Sequence, residues 1–189
     1  THIYIEKTAD VKKASDIVFN AKVQRPSVCN AVETLVVDEE FADANLLELA
    51  TRLIEAGVEI RGDEKVQELV SEAKAATEED YAEEHLDLIL TIKTVKNLDE
   101  ATTHIQKYST QHSEAILTEN YSLAEQFLNT IDSAAVYVNA STRFTDGEKF
   151  GFGGEIGIST QKLHARGPMG LEALTSYKYV IEGTGQIRE

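Results

Sequence analysis

Short apolar runs alternate with helical stripes from Thr1 to Asn139, and that alternation leaves the chain few architectures. His2-Ile3-Tyr4-Ile5 reads as an opening strand. Leu35-Val36-Val37, Val58-Glu59-Ile60, Ala115-Ile116-Leu117 and Ala134 to Asn139 read as further short ones, and Leu86-Asp87-Leu88-Ile89-Leu90-Thr91-Ile92 has the mostly apolar character of a strand buried in a sheet. Between them, Val11, Ala14, Ile17, Val18 and Ala21 form one face of a helix from about Asp10 to Lys22. Ala44, Leu47, Ala50, Leu53 and Ile54, widened by Leu46 and Leu49, give the next stripe, with Gly57 placed as its left-handed cap. Gly62 precedes a helix from about Asp63 to Ala73. Asn97 with Glu100 resembles a capping box for a helix to about Tyr108, and a last helix runs from Ser122 to Thr130 after Asn120. Strands separated by helices need crossover connections, so the predicted class is α/β: a mainly parallel sheet with helices on both faces.

The charge balance excludes some partners. With a formal net charge of -15, the chain lacks the clustered Lys and Arg that nucleic acid or an anionic membrane requires. Its acidic residues concentrate on stretches such as Asp63 to Glu84, the pattern of a solvated face. No apolar run approaches the ~20 residues needed to cross a bilayer, and no charged-then-apolar leader opens the chain, so the cytoplasm is the expected compartment. The sequence starts at Thr1, strand-like from its first residues, and reads as an excised fragment.

One cysteine stands in 189 residues, so no internal disulfide is available. It lies in Arg25-Pro26-Ser27-Val28-Cys29-Asn30-Ala31, between the first helix, which Pro26 stops, and the Leu35 strand. Local features leave two readings open. Cys29 is either a small buried hydrophobe or a nucleophile, with Arg25 favouring its thiolate and the N–H groups of Cys29 and Asn30 available to an oxyanion.

From Ala140 to Thr160 glycines and polar residues replace periodicity, which marks a long and commonly functional loop. Gly151-Phe152-Gly153-Gly154-Glu155-Ile156-Gly157 is not a dinucleotide fingerprint: the third glycine would fall on Ile156, and no strand ends directly before it. The five histidines show no metal-ligand spacing, so no metal is expected. His164 and Arg166 read as structural residues at a turn before Pro168. On residue type alone Arg143 reads as a surface arginine.

Resemblance separates the two readings of Cys29. Arg-Pro-Ser-Val-Cys-Asn-Ala resembles the nucleophile segment of the gamma-glutamyl phosphate reductases (glutamate-5-semialdehyde dehydrogenases), a branch of the aldehyde dehydrogenase superfamily. Val136 to Gly147, Gly151 to Thr160 and His164 to Leu171 are similar to the same family over long ungapped stretches. The resemblance runs over essentially the whole chain but covers about the C-terminal half of such an enzyme.

It implies an aldehyde dehydrogenase-like catalytic domain over residues 1–158. Residues 159–189 would return toward a cofactor domain, with Tyr177 to Ile181 as an oligomerisation strand. It implies Cys29 as the catalytic nucleophile, and Ser141, Thr142, Arg143 and Phe144 as substrate-binding residues, Arg143 taking the carboxylate of a glutamyl substrate. By the same resemblance Glu84 contacts the cofactor's nicotinamide ribose, although the superfamily's Phe-Gly-Pro after that glutamate is replaced by His85-Leu86-Asp87 and the Glu83–Glu84 pair also reads as a solvated cluster. The implied activity is NADPH-dependent reduction of gamma-glutamyl phosphate to glutamate-5-semialdehyde in proline biosynthesis. NADPH would be held mainly by an N-terminal domain outside this chain, and the intact enzyme would be a homo-oligomer. The alternatives are another acyl donor within the superfamily, or a non-catalytic interaction fragment. Whether the parent is free-standing or fused to a kinase is left open.

Overall fold

Seven strands hydrogen-bond into one sheet, every pairing parallel, in the computed structural model, which describes residues 1–189. In chain order they are β1 (His2–Ile5), β2 (Thr34–Asp38), β3 (Glu59–Gly62), β4 (Lys74–Ala75), β5 (Ile89–Val95), β6 (Ser113–Leu117) and β7 (Ala135–Val138), arranged β4-β3-β5-β2-β1-β6-β7. Five helices connect them: α1 (Val11–Val23), α2 (Glu39–Glu55), α3 (Glu64–Leu69), α4 (Leu98–Tyr108) and α5 (Tyr121–Thr130). A two-stranded antiparallel ribbon, β8 (Ile158–Ser159) with β9 (Gly167–Pro168), lies in the C-terminal part.

The period of two along each strand divides the core. Ile3, Ile5, Leu35, Val37, Leu90, Ile92, Ala115 and Leu117 pack with α1, α2 and α3 on one face. Tyr4, Val36, Val95 and Ile116 pack with Leu98, Ala101 and Ile105 of α4 and Phe127 of α5 on the other. The strands are thus buried on both sides, as parallel strands must be when helices cover both faces. Asp10, Asp38, Asp63, Asn97 and Asn120 cap the five helices, each side-chain oxygen accepting a first-turn N–H. At Asn97 the reciprocal bond of a capping box is displaced: Glu100 accepts from Lys96 N rather than Asn97 N.

Four elements differ from the sequence expectation. In α2 the buried face is Phe41, Ala42, Leu46, Leu49, Ala50 and Leu53, while Leu47 is exposed. The expected stripe shares Leu46, Leu49, Ala50 and Leu53 with this face, but Ala44, like Leu47, is exposed, and Phe41 and Ala42 complete the buried side. α3 stops at Leu69, because the following residues extend to pair as β4 against β3. β5 starts at Ile89 rather than Leu86, since Leu86 takes a left-handed φ of 53° that no strand accommodates. Tyr177 to Ile181 is not a strand within this chain; no neighbour pairs with it, and Tyr177 and Ile181 are 83% and 86% exposed.

Candidate active site

The connection from α1 to β2 carries Cys29 to the amino end of the sheet, where the registers His2 with Thr34 and His2 with Glu114 bring β2, β1 and β6 level. α1 ends at Val23, and the chain then turns through Pro26 to Ala31, whose N–H donates to Val28 O. Val32 N donates to Ala21 O and the Thr1 hydroxyl to Cys29 O at 3.1 Å, which fixes the turn against the helix end and β1. Below it Lys22 donates to Glu33 inside the protein, and the other oxygen of Glu33 accepts Leu86 N. One carboxylate therefore ties the cysteine connection to the loop bearing Glu84. Cys29 is exposed as a residue, with its thiol partly buried. The backbone N–H groups of Cys29 and Asn30 have no acceptor elsewhere in the chain.

A second segment reaches the same place from the opposite end of the sheet. β7 ends at Val138, and Asn139 reverses the chain with a left-handed φ of 52°, its amide paired to both Thr118 N and Thr118 O. The chain then folds back through the 3-10 turn Thr142–Phe144, packed against α1, toward the amino ends of the strands. There Thr145 Oγ1 meets Ser113 Oγ at 2.6 Å and Tyr137 Oη at 2.7 Å.

Asn30 joins the two segments. Its Nδ2 donates to Thr145 O at 2.9 Å, its carbonyl accepts the Thr142 hydroxyl at 2.7 Å, and its Oδ1 accepts from Arg143 Nη1. Arg143 Nε donates to Gln24 Oε1 at 3.0 Å. Nη2 of the same guanidinium has no partner in the chain and remains available to an anion.

The structure thus brings Cys29, Thr142 and Arg143 together and places the other expected residues around them. Thr142 is sealed from solvent, and its hydroxyl is engaged by Asn30. Ser141 is also buried, its hydroxyl accepting Arg143 N at the start of the turn. The two hydroxyls expected to face a substrate therefore shape the loop from inside. Phe144 is 54% exposed beside them. Glu84 is exposed, and its charge reaches both Cys29 and His112.

The electrostatics of Cys29 differ from the sequence reading. Partial burial pushes its thiol up, the carboxylates of Glu155 and Glu84 push it further, and its own N–H and Arg143 only partly offset them. Arg25, expected to favour the thiolate, is not among the leading influences on it, and Arg143 is the positive charge that opposes the carboxylates. Glu155, whose Oε2 accepts Gly147 N at 2.8 Å, was hidden in a glycine-rich loop that gave no sign of facing the cysteine. Asn30 is adjacent to Cys29 in sequence, where only its backbone N–H points to a role.

A dinucleotide does not fit this chain's own helix ends. Wherever a strand runs directly into a helix, an Asp or Asn side chain already caps the N-terminus, and the turn from β1 to α1 contains no glycine and holds the buried carboxylate of Glu6.

Comparisons with known proteins bear on the same residues. No protein-family model matches the chain. Over 188 residues, 100% of the chain, it is 61% identical to gamma-glutamyl phosphate reductase of Caldanaerobacter subterraneus subsp. tengcongensis. It superimposes on the crystal structure of gamma-glutamyl phosphate reductase from Thermotoga maritima with a TM-score of 0.94 and 58% identity, again over 100% of the chain. The chain is thus similar, over its whole length, to gamma-glutamyl phosphate reductases. It spans 45% of the length of both of these gamma-glutamyl phosphate reductases. An acetylating aldehyde dehydrogenase from Geobacillus thermoglucosidasius matches 100% of the chain and 51% of its own at a TM-score of 0.68 and 18% identity, a likeness of fold. The parallel sheet with helices on both faces is accordingly the aldehyde dehydrogenase-like α/β fold.

Proposed function

We propose that this chain is the cysteine-bearing catalytic part of an enzyme that reduces gamma-glutamyl phosphate to glutamate-5-semialdehyde and phosphate in proline biosynthesis. The observation that carries the reading is a solvent-accessible cysteine, Cys29, beside a guanidinium, Arg143, with an unpartnered nitrogen.

The chemistry suits a thiol. The Cys29 thiolate attacks the acyl-phosphate carbonyl carbon, and the developing oxyanion lies within reach of the free N–H groups of Cys29 and Asn30. The carbon–oxygen bond to phosphate breaks, phosphate leaves with the electron pair, and a thioester remains on Cys29. Arg143 holds the substrate's α-carboxylate, and exposed Phe144 covers the carbon chain. Phosphate is already a good leaving group, so this step requires no base to deacylate the cysteine. A nicotinamide cofactor, NADPH in this reading, supplies the hydride that converts the thioester to the aldehyde. The capped helix ends support a cofactor bound mainly outside this chain, with Glu84 as the candidate contact from within it. As an isolated piece the chain would be inactive.

We assign residues 1–158 to the catalytic domain and 159–189 to a segment returning toward the cofactor domain. The exposed stretch Tyr177 to Ile181 would pair with a neighbouring copy in a cytoplasmic homo-oligomer. The decisive experiment is Cys29→Ala in the intact enzyme. Loss of reductase turnover is expected, whereas the unsubstituted enzyme should require phosphate to oxidise glutamate-5-semialdehyde with NADP; unchanged turnover in Cys29→Ala overturns the proposal.

A further inference from the structure

An asparagine that follows a nucleophile in a connecting loop would ordinarily point its amide at solvent. Asn30 does the reverse. It is 4% exposed, and its amide nitrogen, amide oxygen and carbonyl are all engaged across the site, with Thr145 O, Arg143 Nη1 and the Thr142 hydroxyl respectively. Only a side chain that both donates and accepts can make the two amide contacts, which excludes aspartate and every apolar residue of similar size.

The arginine completes a closed figure. Its Nε donates to Gln24 and its Nη1 to Asn30, so one guanidinium bridges the two ends of the segment that contains Cys29. A shift of Arg143 must then move the cysteine turn, and a shift of the turn must move Arg143.

We propose that Asn30 is a positioning residue that, with Gln24, locks the Arg143 guanidinium to the Cys29 turn, so that grip on the substrate's anionic end and aim of the sulfur are set by one geometric unit. The inference deepens the function proposed above and rests on it. Asn30 itself reacts with nothing. It holds the distance between the group that grips and the group that attacks, and misplacement of about 1 Å in such a pair costs about 10²-fold in rate.

A double-mutant cycle in the intact enzyme tests this, comparing Asn30→Ala, Arg143→Ala and the double variant by kcat/KM for the acyl phosphate, with Cys29→Ala alongside. Asn30→Ala is expected to lose about 10²-fold, and Arg143→Ala to cost far less in that background than in the wild type, because residues acting as a unit are not additive. Asn30→Asp keeps an acceptor for Arg143 but places a negative charge beside the sulfur. It is expected to restore KM toward wild type while moving the pH profile of kcat upward, a split that a merely structural role would not produce.

Additive effects, or an unimpaired Asn30→Ala enzyme while Cys29→Ala is inactive, would overturn the positioning role and leave the proposed function standing. An active Cys29→Ala enzyme would overturn the function itself. Should Asn30→Ala fail to fold, Gln24→Ala, at an exposed position, enters the same cycle with Arg143→Ala, where coupling supports the proposal and additivity removes it.

Discussion

Lys22 and Glu33 meet inside the protein, with Nζ 2.8 Å from Oε2 and side-chain exposures of 0% and 6%. Burial pulls the lysine's pKa down and the carboxylate opposes that pull, so the charge on Lys22 depends on Glu33 remaining in place. The pair sits beneath the cysteine connection, between the end of α1 and the start of β2. Lys22→Met alone should cost about 3–5 kcal/mol, because it strands a buried carboxylate. Lys22→Met combined with Glu33→Leu should recover most of that loss, since an apolar pair of similar volume needs no desolvation of charge. Urea unfolding of the single and double variants checks both statements, and a double variant as weak as the single would contradict them.

The thiol of Cys29 should react more slowly at neutral pH than an ordinary exposed cysteine. Partial burial, Glu155 and Glu84 all disfavour its thiolate. The iodoacetamide rate should therefore rise with pH through a midpoint above that of a free thiol. Glu155→Gln removes a negative charge and should bring the midpoint down, whereas Arg143→Gln removes the opposing positive charge and should raise it. Added salt should also lower the wild-type midpoint, because a repulsion between partly exposed groups is screened. A midpoint indifferent to Glu155→Gln would mean that this carboxylate does not face the sulfur.

Acid should weaken the protein through His104. Its ring packs on Tyr81 and Tyr108, with centroids 5.0 and 4.7 Å away, and edge-on to His2 at 6.0 Å. Burial, with the charges of His2 and Lys93, lowers its pKa to about 4. The unfolded chain binds that proton near pH 6.5 and the native state only near 4, so stability is full above 6.5 and falls as the pH drops between the two. Discounted for the partly exposed ring, the loss is about 2 kcal/mol. His104→Phe keeps the aromatic packing without the titration. Its melting temperature should fall less than that of the wild type between pH 7 and pH 4.5.

The sheet could be read from the sequence because the apolar runs of its strands are buried on both faces, which leaves little ambiguity at Leu35 to Val37 or Ala115 to Leu117. α2 was harder. Two apolar faces overlap there, and the packing of Phe41 and Ala42 at its start, rather than periodicity, selects the one that is buried. Leu86 carries no local mark of its left-handed backbone; the bond from its N–H to Glu33, 53 residues earlier, is tertiary. At the candidate site, resemblance singled out Cys29 and Arg143. The brace between them remained hidden because the contacts of Asn30 with Thr142, Arg143 and Thr145 span more than a hundred residues. They exist only after Asn139 has turned the chain back on itself.

That reversal can be tested at Asn139. Its φ of 52° costs an ordinary L-residue about 1–2 kcal/mol, and asparagine offsets the strain with two amide bonds to Thr118, at 2.9 and 2.8 Å. Asn139→Gly should lose the bonds but keep the conformation, at about 1–2 kcal/mol. Asn139→Ala loses the bonds and adds the left-handed strain, so it should be weaker than the glycine variant by about 1 kcal/mol. Because the turn delivers Thr142 and Thr145 to Asn30, the alanine variant should also speed hydrogen exchange of the Arg143 and Thr145 amides relative to those of β1. Chemical unfolding with exchange on both variants decides the matter: a glycine variant no stronger than alanine, or exchange confined to the tip at Asn139, would separate the turn from the site it serves.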